Sequence, residues 1–238
     1  MKASNLLYLG NEKSFFKTEN DNEVIMYHND DLIAYNGLKK ATFLNKGIYC
    51  SKITALLFEL LEKNGINTHY IKTINERELL CKKAEIIPVR MVVRNMIAGS
   101  LAKRLKLKEG TPISNIIYEF TYKKDEIGEE CINEHHAVAL GICDYDRVSK
   151  MYSMSQRTNK ILKEIFLKCG IFLVDFRVQF GLTNDGELVI VDEISPDTCR
   201  LWEVNTGNRL DKDRFRKDLG HIVDSYEEVY NRLLSIKE

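Results

Sequence analysis

Polar side chains, two of them with oxygen atoms suited to binding a metal ion, alternate with apolar ones along one predicted strand, IFLVDFRVQF (residues 171–180). Successive side chains of a strand point to opposite faces, so Asp175, Arg177 and Gln179 share one face. Apolar side chains occupy the other face: Phe172, Val174, Phe176, Val178 and Phe180. The alternation predicts a sheet with one face in the core and one face available for chemistry.

A second apolar run, VIV (residues 189–191), follows the turn sequence TNDG and leads into Asp192-Glu193. Residues 171–194 are therefore predicted to form a hairpin. If Leu182 pairs with Glu187, Arg177 faces Asp192 across the strands. Carboxylate and amide oxygens are hard ligands that suit Mg²⁺, so Asp175, Gln179 and Asp192 are candidate ligands. The alternative is an exposed sheet face with an Arg–Asp cross-strand pair.

The segment VVRNMIAGSLAKRL contains a candidate anion site. Arg94 ends a predicted strand, and Gly99-Ser100 begin a helix that is predicted to close at Gly110. Free N–H groups at a helix start attract anions, and an arginine adds a charge-assisted contact. The alternative is that Ser100 caps the helix and Arg94 is a surface charge.

A glycine, Gly10, lies three residues before Lys13 in LGNEKSFF, which is predicted to form the first hairpin. Such a turn can cover nucleotide phosphates, although one glycine and one lysine make a weak motif.

The composition predicts a globular protein with an interior of its own. The 238 residues contain 35 basic and 35 acidic side chains, so a polyanion bound by bulk charge is disfavoured, and with it nucleic acid. No apolar run has the length of a membrane span, and the six scattered cysteines are typical of a reduced compartment. These features predict a cytoplasmic protein that binds no membrane.

The periodicity predicts a mixed α and β fold. Strands and turns fill the first fifty residues, a helix begins at Ser51, and further helices cover 146–169 and the C-terminus. Residues 114–134 are predicted to be an irregular substrate loop, and Pro88 marks a break between two strands. A boundary there divides the chain into a small β-rich nucleotide-binding lobe (1–87) and a larger α/β lobe for substrate and metal (88–238).

Three segments together, IIPVRMVVRNMIAGSLAKRL, LVDFRVQFG and VDEISPDTCRLW, resemble the SAICAR synthetase family of purine biosynthesis. The likeness runs from the early G-x-x-K to the late LDKDRFRKDLG and covers essentially the whole chain. It implies a two-lobed α+β or α/β fold related to ATP-grasp enzymes.

The resemblance also implies an activity. Members join carboxyaminoimidazole ribonucleotide (CAIR) to L-aspartate, using ATP and Mg²⁺ to form an acyl phosphate and releasing SAICAR, ADP and phosphate. A homodimer is the implied assembly.

Roles for individual residues follow from the same resemblance. Gly10 and Lys13 would meet the ATP phosphates, and residues 82–86, with Lys82 and Ile86, would hold adenine. The 5′-phosphate of CAIR would bind Arg94, Ser100 and Arg200. Lys123, Asp175 and Arg177 would act near the reacting groups, with Asp192 and Gln179 at the metal.

Several positions depart from the family pattern. Gln179 stands where a glutamate is usual, which removes a negative charge from the metal site and makes Glu193 a candidate substitute. Arg177 replaces a lysine. The other departures are Asn11, Arg90, Glu129-Glu130 and Cys199.

Two other functions are compatible with these residues. A small-molecule kinase would keep the ATP site without amide formation, and it would release ADP without an amine co-substrate. A ribonucleotide-binding protein with a disabled metal site would bind its ligand without turnover.

Overall fold

The computed structural model describes residues 5–124 and 128–236, and the side chains of residues 123–124 and 128–129 lie outside that description. Thirteen strands occur in the described part: β1 (Leu6–Leu9), β2 (Lys13–Lys17), β3 (Glu23–His28), β4 (Asp31–Ala34), β5 (Lys39–Thr42), β6 (Tyr70–Thr73), β7 (Glu78–Lys82), β8 (Ala84–Met96), β9 (Pro112–Lys124), β10 (Gly128–Ile132), β11 (Ile171–Thr183), β12 (Leu188–Val191) and β13 (Cys199–Glu203). Six helices accompany them: α1 (Lys46–Lys63), α2 (Gly99–Leu105), α3 (Glu134–Ala139), α4 (Tyr145–Lys168), α5 (Asp213–Arg216) and α6 (Ile222–Leu234).

The strands form three antiparallel sheets. The first has the order β1-β2-β3-β7-β6, and β4 and β5 make a separate ribbon. The second has the order β10-β9-β8-β11-β12, with β13 also paired to β11. The mixed α and β composition with antiparallel sheets confirms the predicted fold class.

The largest apolar cluster joins the two main sheets. It includes Met26 of β3, Leu57 of α1, Met91 of β8 and Phe176 of β11, all fully buried. Helix α4 packs on β11 and β8, and its ends agree with the predicted helix within one residue because Gly170, at φ 69°, stops it. The division at residue 87 stays a prediction.

Strand β8 runs straight through Pro88, so the predicted break at this proline is wrong. The ladder between β8 and β11 shifts register here, passing from Arg90↔Gln179 to Ile86↔Gly181. A proline has no N–H to donate to a neighbouring strand. The register shift leaves Pro88 at a position where the ladder requires no N–H donor, so the strand can continue through it.

Three other predicted elements also differ from the structure. Residues 114–134 are not an irregular loop but mostly the antiparallel pair β9 and β10. Their polar composition reflects the exposed side chains of β9 before Phe120. Helix α2 ends at Leu105 rather than Gly110, because Lys106 adopts a left-handed conformation at φ 54°. Helix α1 begins five residues before the predicted start at Ser51.

The predicted register of the β11–β12 hairpin is wrong by one residue. Leu182 pairs with Leu188 and Gln179 with Val191, so Arg177 does not face Asp192. The N–H of Thr183 donates to the carbonyl of Glu187, and Gly186 at φ 82° completes a three-residue loop. A two-residue loop would have given the predicted pairing.

Candidate active site

A cleft of about 1220 Å³ opens between the first hairpin and the face of the second sheet. Seven of the predicted site residues line it: Gly10, Lys13, Lys82, Ile86, Arg177, Gln179 and Asp192. The β4–β5 turn and helix α5 contribute further walls, including Tyr35 and Arg216. The predicted ATP-binding and metal-binding residues therefore share one cavity.

Lys13 lies at the base of this cleft between two carboxylates. Its ammonium group donates to Glu193 Oε1 at 2.7 Å and forms an ion pair with Asp192. Burial alone would lower the pKa of Lys13, but the charges of Asp192, Glu193 and Glu12 outweigh burial and raise the pKa above its ordinary value. Lys13 is therefore a permanent cation beside the cleft.

Asp192 is presented by a backbone conformation that is rare for a non-glycine residue, with φ 70°. This turn follows β12 directly and aims a partly exposed carboxylate, 23% accessible, at the cleft. His69 contacts the Asp192 carbonyl oxygen through Nε2 at 3.1 Å. Burial raises the pKa of Asp192, but Lys13 and Arg90 more than reverse this, so the carboxylate stays ionised.

Gln179 binds the main chain of the neighbouring strand. Its amide nitrogen donates to the carbonyl of Val89 at 3.0 Å and to that of Ile87, while its oxygen accepts from Arg90 Nε at 3.0 Å. A carboxylate could not make the two donated bonds. The amide at this position thus fits its surroundings without any metal contact.

The predicted alternation of polar and apolar side chains along β11 is present from Phe176 to Phe180. Arg177 and Gln179 line the cleft, while Phe176, Val178 and Phe180 lie in the main core. Further toward the start of the strand the prediction is wrong. Phe172 and Val174 pack with Trp202 in a separate cluster, because the pairing of β11 with β13 shifts register between Leu173 and Asp175.

Asp175 forms the centre of a second group of charges on three adjacent strands. It pairs with Arg94 of β8 on one side and with Arg200 of β13 on the other. Arg200 Nη1 donates to both carboxylate oxygens at 2.9 and 2.8 Å, and Arg94 Nη1 donates to Oδ2 at 3.2 Å. Both guanidinium groups are thereby held side by side.

The start of helix α2 completes this group. Arg94 Nη2 donates to Ser100 Oγ at 3.2 Å, and a Cβ atom on Gly99 would overlap the guanidinium group of Arg200. Arg94 is only 3% exposed, so it is not a surface charge, and the N-cap residue of α2 is Ala98 rather than Ser100, so the alternative interpretation is wrong for both residues. The structure gathers Arg94, Ser100 and Arg200 at one point.

The charges around Arg94 and Arg200 include three residues that the sequence did not single out. Glu119 accepts from Arg94 Nε at 2.7 Å, and Asp213 accepts from Arg200 Nε at 3.0 Å. Asp213 also binds Arg216 at 2.5 Å, which links this group to the cleft. Asp213 could have been found from the motif LDKDRF, which the family resemblance includes. Glu119 could not, because it lies within the segment predicted to be a loop.

Of the predicted site residues, Lys123 has its side chain outside the described part of the chain. Its backbone pairs with Glu129 near the end of the β9–β10 ladder. Glu129 and Glu130, which depart from the family pattern, belong to β10 of the same hairpin.

Among the described residues, none of the helices is long and apolar enough to cross a membrane.

Comparisons with known proteins agree over nearly the whole length of the chain. The family model described as SAICAR synthetase matches residues 6–233. Phosphoribosylaminoimidazole-succinocarboxamide synthase of Fusobacterium nucleatum subsp. nucleatum is 49% identical over 237 residues, which is 100% of each chain. The synthase of the same name from Clostridium botulinum strain Alaska E43 is 49% identical over 98% of this chain and 99% of its own.

Solved structures give the same result. The crystal structure of phosphoribosylaminoimidazole-succinocarboxamide synthase from Ehrlichia chaffeensis has a TM-score of 0.94 at 41% identity, covering 96% of this chain and 98% of the other. A SAICAR synthetase in complex with ADP has a TM-score of 0.92 at 42% identity, covering 95% and 96% of the two chains. With a full-length family match and close relatives of nearly the same length, this chain belongs to the SAICAR synthetase family.

Proposed function

We propose that this protein is an ATP-dependent ligase that joins CAIR to L-aspartate, giving SAICAR, ADP and phosphate. The observation that carries the proposal is the pairing of a lysine-and-carboxylate cleft with a separate two-arginine group on the same sheet face. Asp175 and Gln179 are four residues apart on β11, which is about 13 Å along a strand. A ribonucleotide can span such a distance, with its phosphate at one end and its reacting group at the other.

The chemistry requires activation because a carboxylate has no good leaving group. An oxygen of the CAIR carboxylate attacks the γ-phosphorus of ATP, the bond to the bridging oxygen breaks, and ADP leaves. The aspartate amine then attacks the acyl carbon, loses a proton, and phosphate departs with the former carboxylate oxygen. The protein has to position the reactants and neutralise charge during these steps.

ATP fits the cleft beside the first hairpin. The Gly10 N–H donates to the Lys13 carbonyl at 2.9 Å, which makes a tight turn whose lysine points a permanent cation toward the phosphates. Apolar side chains line the cleft nearby and suit a purine ring: Phe15, Val24, Ala84 and Ile86. Ile86 is 52% exposed, as expected of an apolar side chain that a base covers.

The 5′-phosphate of CAIR fits between Arg94, Ser100 and Arg200. Arginine binds phosphate through parallel charge-assisted hydrogen bonds, and two guanidinium groups already aligned lose little entropy on binding. Asp175 is buried against both arginines, so its role in this proposal is to orient them. Arg177 and Lys123 are proposed to act nearer to the reacting carboxylate.

Mg²⁺ fits at Asp192. This ion is usually held by one or two carboxylates together with substrate phosphates, and Asp192 offers an ionised, partly exposed carboxylate to the cleft. The amide of Gln179 is directed at main-chain carbonyls, and Glu193 is 2% exposed and bound to Lys13. Asp192 is therefore the proposed protein ligand, and a bound ion would act as a Lewis acid that reduces the negative charge of the ATP phosphates.

The family further suggests a cytoplasmic location and a homodimer, and sedimentation of the purified protein would test the dimer.

The test of the proposed function is ADP release from Mg·ATP with CAIR alone, with L-aspartate alone, and with both. Release that requires both substrates, with SAICAR formed in equal amount, is expected. The same assay with Arg94→Ala should show a much higher KM for CAIR. Release with CAIR alone at the full rate would indicate a kinase instead, and CAIR binding without any ADP release would indicate a non-catalytic protein.

A further inference from the structure

Glu193 is a buried carboxylate whose two oxygens have different partners. Oε1 accepts a hydrogen bond from Lys13 Nζ at 2.7 Å, and Oε2 accepts one from Ser195 Oγ at 2.8 Å. The ring of His28 lies 3.8 Å from Oε2, but burial and the charges of Lys13 and Lys46 lower the pKa of His28 to about 3. At 3.8 Å the ring is beyond hydrogen-bond distance, so the Ser195 hydroxyl is the donor that orients this oxygen.

Ser195 is itself fixed by the turn at residues 193–198. Its Oγ accepts from the Asp197 N–H at 3.1 Å, and its own N–H donates to Thr198 Oγ1 at 3.1 Å. Thr198 in turn donates to the Glu193 carbonyl at 3.2 Å. The hydroxyl of Ser195 therefore has one defined direction, toward Glu193.

This turn is anchored from beneath by a fully buried ion pair. Asp197 Oδ2 lies 2.8 Å from Lys46 Nζ on α1, and Asp197 Oδ1 accepts from the Tyr226 hydroxyl on α6 at 2.6 Å. Burial raises the pKa of Asp197, but Lys46 and Lys212 more than reverse this and keep it below its ordinary value. Cys50 and Glu193 lie within 4.8 Å of Asp197, but the Lys46 ammonium group already supplies the positive charge there.

We propose that Ser195 is a positioning residue for nucleotide binding, which acts by holding Glu193 so that Glu193 and Asp192 together fix the Lys13 ammonium group at the base of the cleft. The path runs from Lys46 and Tyr226 through Asp197 and Ser195 to Glu193, and every link is a contact of 3.1 Å or less. It deepens the proposed function and rests on it only in assigning Lys13 to the ATP phosphates.

Ser195→Ala is the direct test, and Ser225→Ala is its matched control. Both serines are buried, at 1% and 2% exposure, and both lose one donated hydrogen bond. The Ser225 hydroxyl donates to the Ile222 carbonyl of its own helix instead of to Asp197, Ser195 or Glu193. Isothermal titration with Mg·ADP, and separately with CAIR, measures the two halves of the site without any turnover.

Ser195→Ala should weaken Mg·ADP binding about tenfold, as expected for loss of a hydrogen bond to a charged group, while CAIR binding changes less than about twofold. Tyr226→Phe, which retains the ring, should weaken Mg·ADP binding in the same direction by a smaller factor. Ser225→Ala should bind both ligands as the wild type does.

Two outcomes would overturn the proposal. One is Mg·ADP affinity in Ser195→Ala and Tyr226→Phe equal to that in Ser225→Ala. The other is a parallel loss of Mg·ADP and CAIR affinity with a lowered melting temperature, which would mean that Ser195 only stabilises the fold. Failure of the proposed function appears separately, as wild-type protein that binds Mg·ADP but forms no SAICAR.

Discussion

Arg200 donates from one nitrogen to both carboxylate oxygens of Asp175, at 2.9 and 2.8 Å, and these residues are direct partners on neighbouring strands. Arg94 reaches the same carboxylate from the strand on the other side. A single buried acid therefore aligns two cations that would otherwise repel each other. The predicted phosphate site thus depends on a residue that need not touch the phosphate.

Asp175→Asn should raise the KM for CAIR while leaving the KM for ATP nearly unchanged. The amide keeps the shape but removes the charge between the arginines, and a hydrogen bond to a charged group contributes about 1.5–3 kcal/mol, or roughly 10- to 100-fold in affinity. Steady-state kinetics with each substrate varied would measure this, with the exposed Glu228→Gln as control. Equal KM values for CAIR in wild type and variant would contradict the orienting role.

Asp192→Asn should increase the Mg²⁺ concentration needed for half-maximal activity by at least about tenfold, because the carboxylate that faces the cleft becomes a neutral, weaker ligand. Titration of activity with free Mg²⁺ at saturating ATP measures the change. Asp185→Asn removes an exposed carboxylate from the β11–β12 turn and serves as the control. An unchanged Mg²⁺ requirement in Asp192→Asn would place the ion elsewhere.

Gln179→Glu should lower the free energy of unfolding by about 1–3 kcal/mol, since the carboxylate cannot donate to the Ile87 and Val89 carbonyls and leaves them without this partner. Urea unfolding measures the difference. Gln156→Glu, on the exposed face of α4, introduces the same charge without that loss and should be nearly neutral. If both variants have wild-type stability, the hydrogen bonds to the Ile87 and Val89 carbonyls do not explain why glutamine rather than glutamate occupies position 179.

His69 should make the stability depend on pH below about 6.5. Burial lowers its pKa from 6.5 to about 4 in the folded state, so between these values the unfolded chain binds a proton that the folded chain does not. The contribution of a neutral His69 to the free energy of unfolding is complete above pH 6.5. It is lost as the pH falls toward 4, by up to about 1.4 kcal/mol per pH unit.

His69→Gln should therefore make the decline in unfolding free energy between pH 6 and 4 shallower than in wild type, as measured by urea unfolding across this range. His135→Gln, at an exposed position, should keep the wild-type slope. Asp211 acts in the opposite direction, because burial and Asp213 raise its pKa to about 7, but this contribution is common to all three proteins. Identical slopes in His69→Gln and wild type would refute the assignment.

The sequence predicted those parts of the fold that depend on local periodicity. Helix α4 has an apolar stripe and a terminal glycine, and β11 alternates strictly from Asp175 to Gln179, so both could be identified from neighbouring residues. Strand β9 gave no such signal because its residues do not alternate: Ser114 and Asn115 are followed by Ile116 and Ile117, and three of these four side chains are exposed. The register of the β11–β12 hairpin depended on one residue in its loop, which composition alone does not determine.

The candidate site shows the same limit. The family resemblance brought Lys13, Arg94 and Asp192 to attention, but not their supporting partners. Lys46 and Asp197 are 151 positions apart in the chain and no sequence motif connects them, yet they form a buried ion pair beneath the site. Only the packing of α1 against the turn at residues 193–198 reveals it.

The most direct test of the account is to follow oxygen during the reaction. CAIR labelled with ¹⁸O in both carboxylate oxygens, incubated with Mg·ATP and L-aspartate, should yield phosphate that carries one ¹⁸O atom and SAICAR that retains the other. This result requires phosphorylation of the carboxylate before the amine attacks. Phosphate free of ¹⁸O would contradict the acyl phosphate, and with it the proposal that this cleft couples ATP cleavage to amide formation.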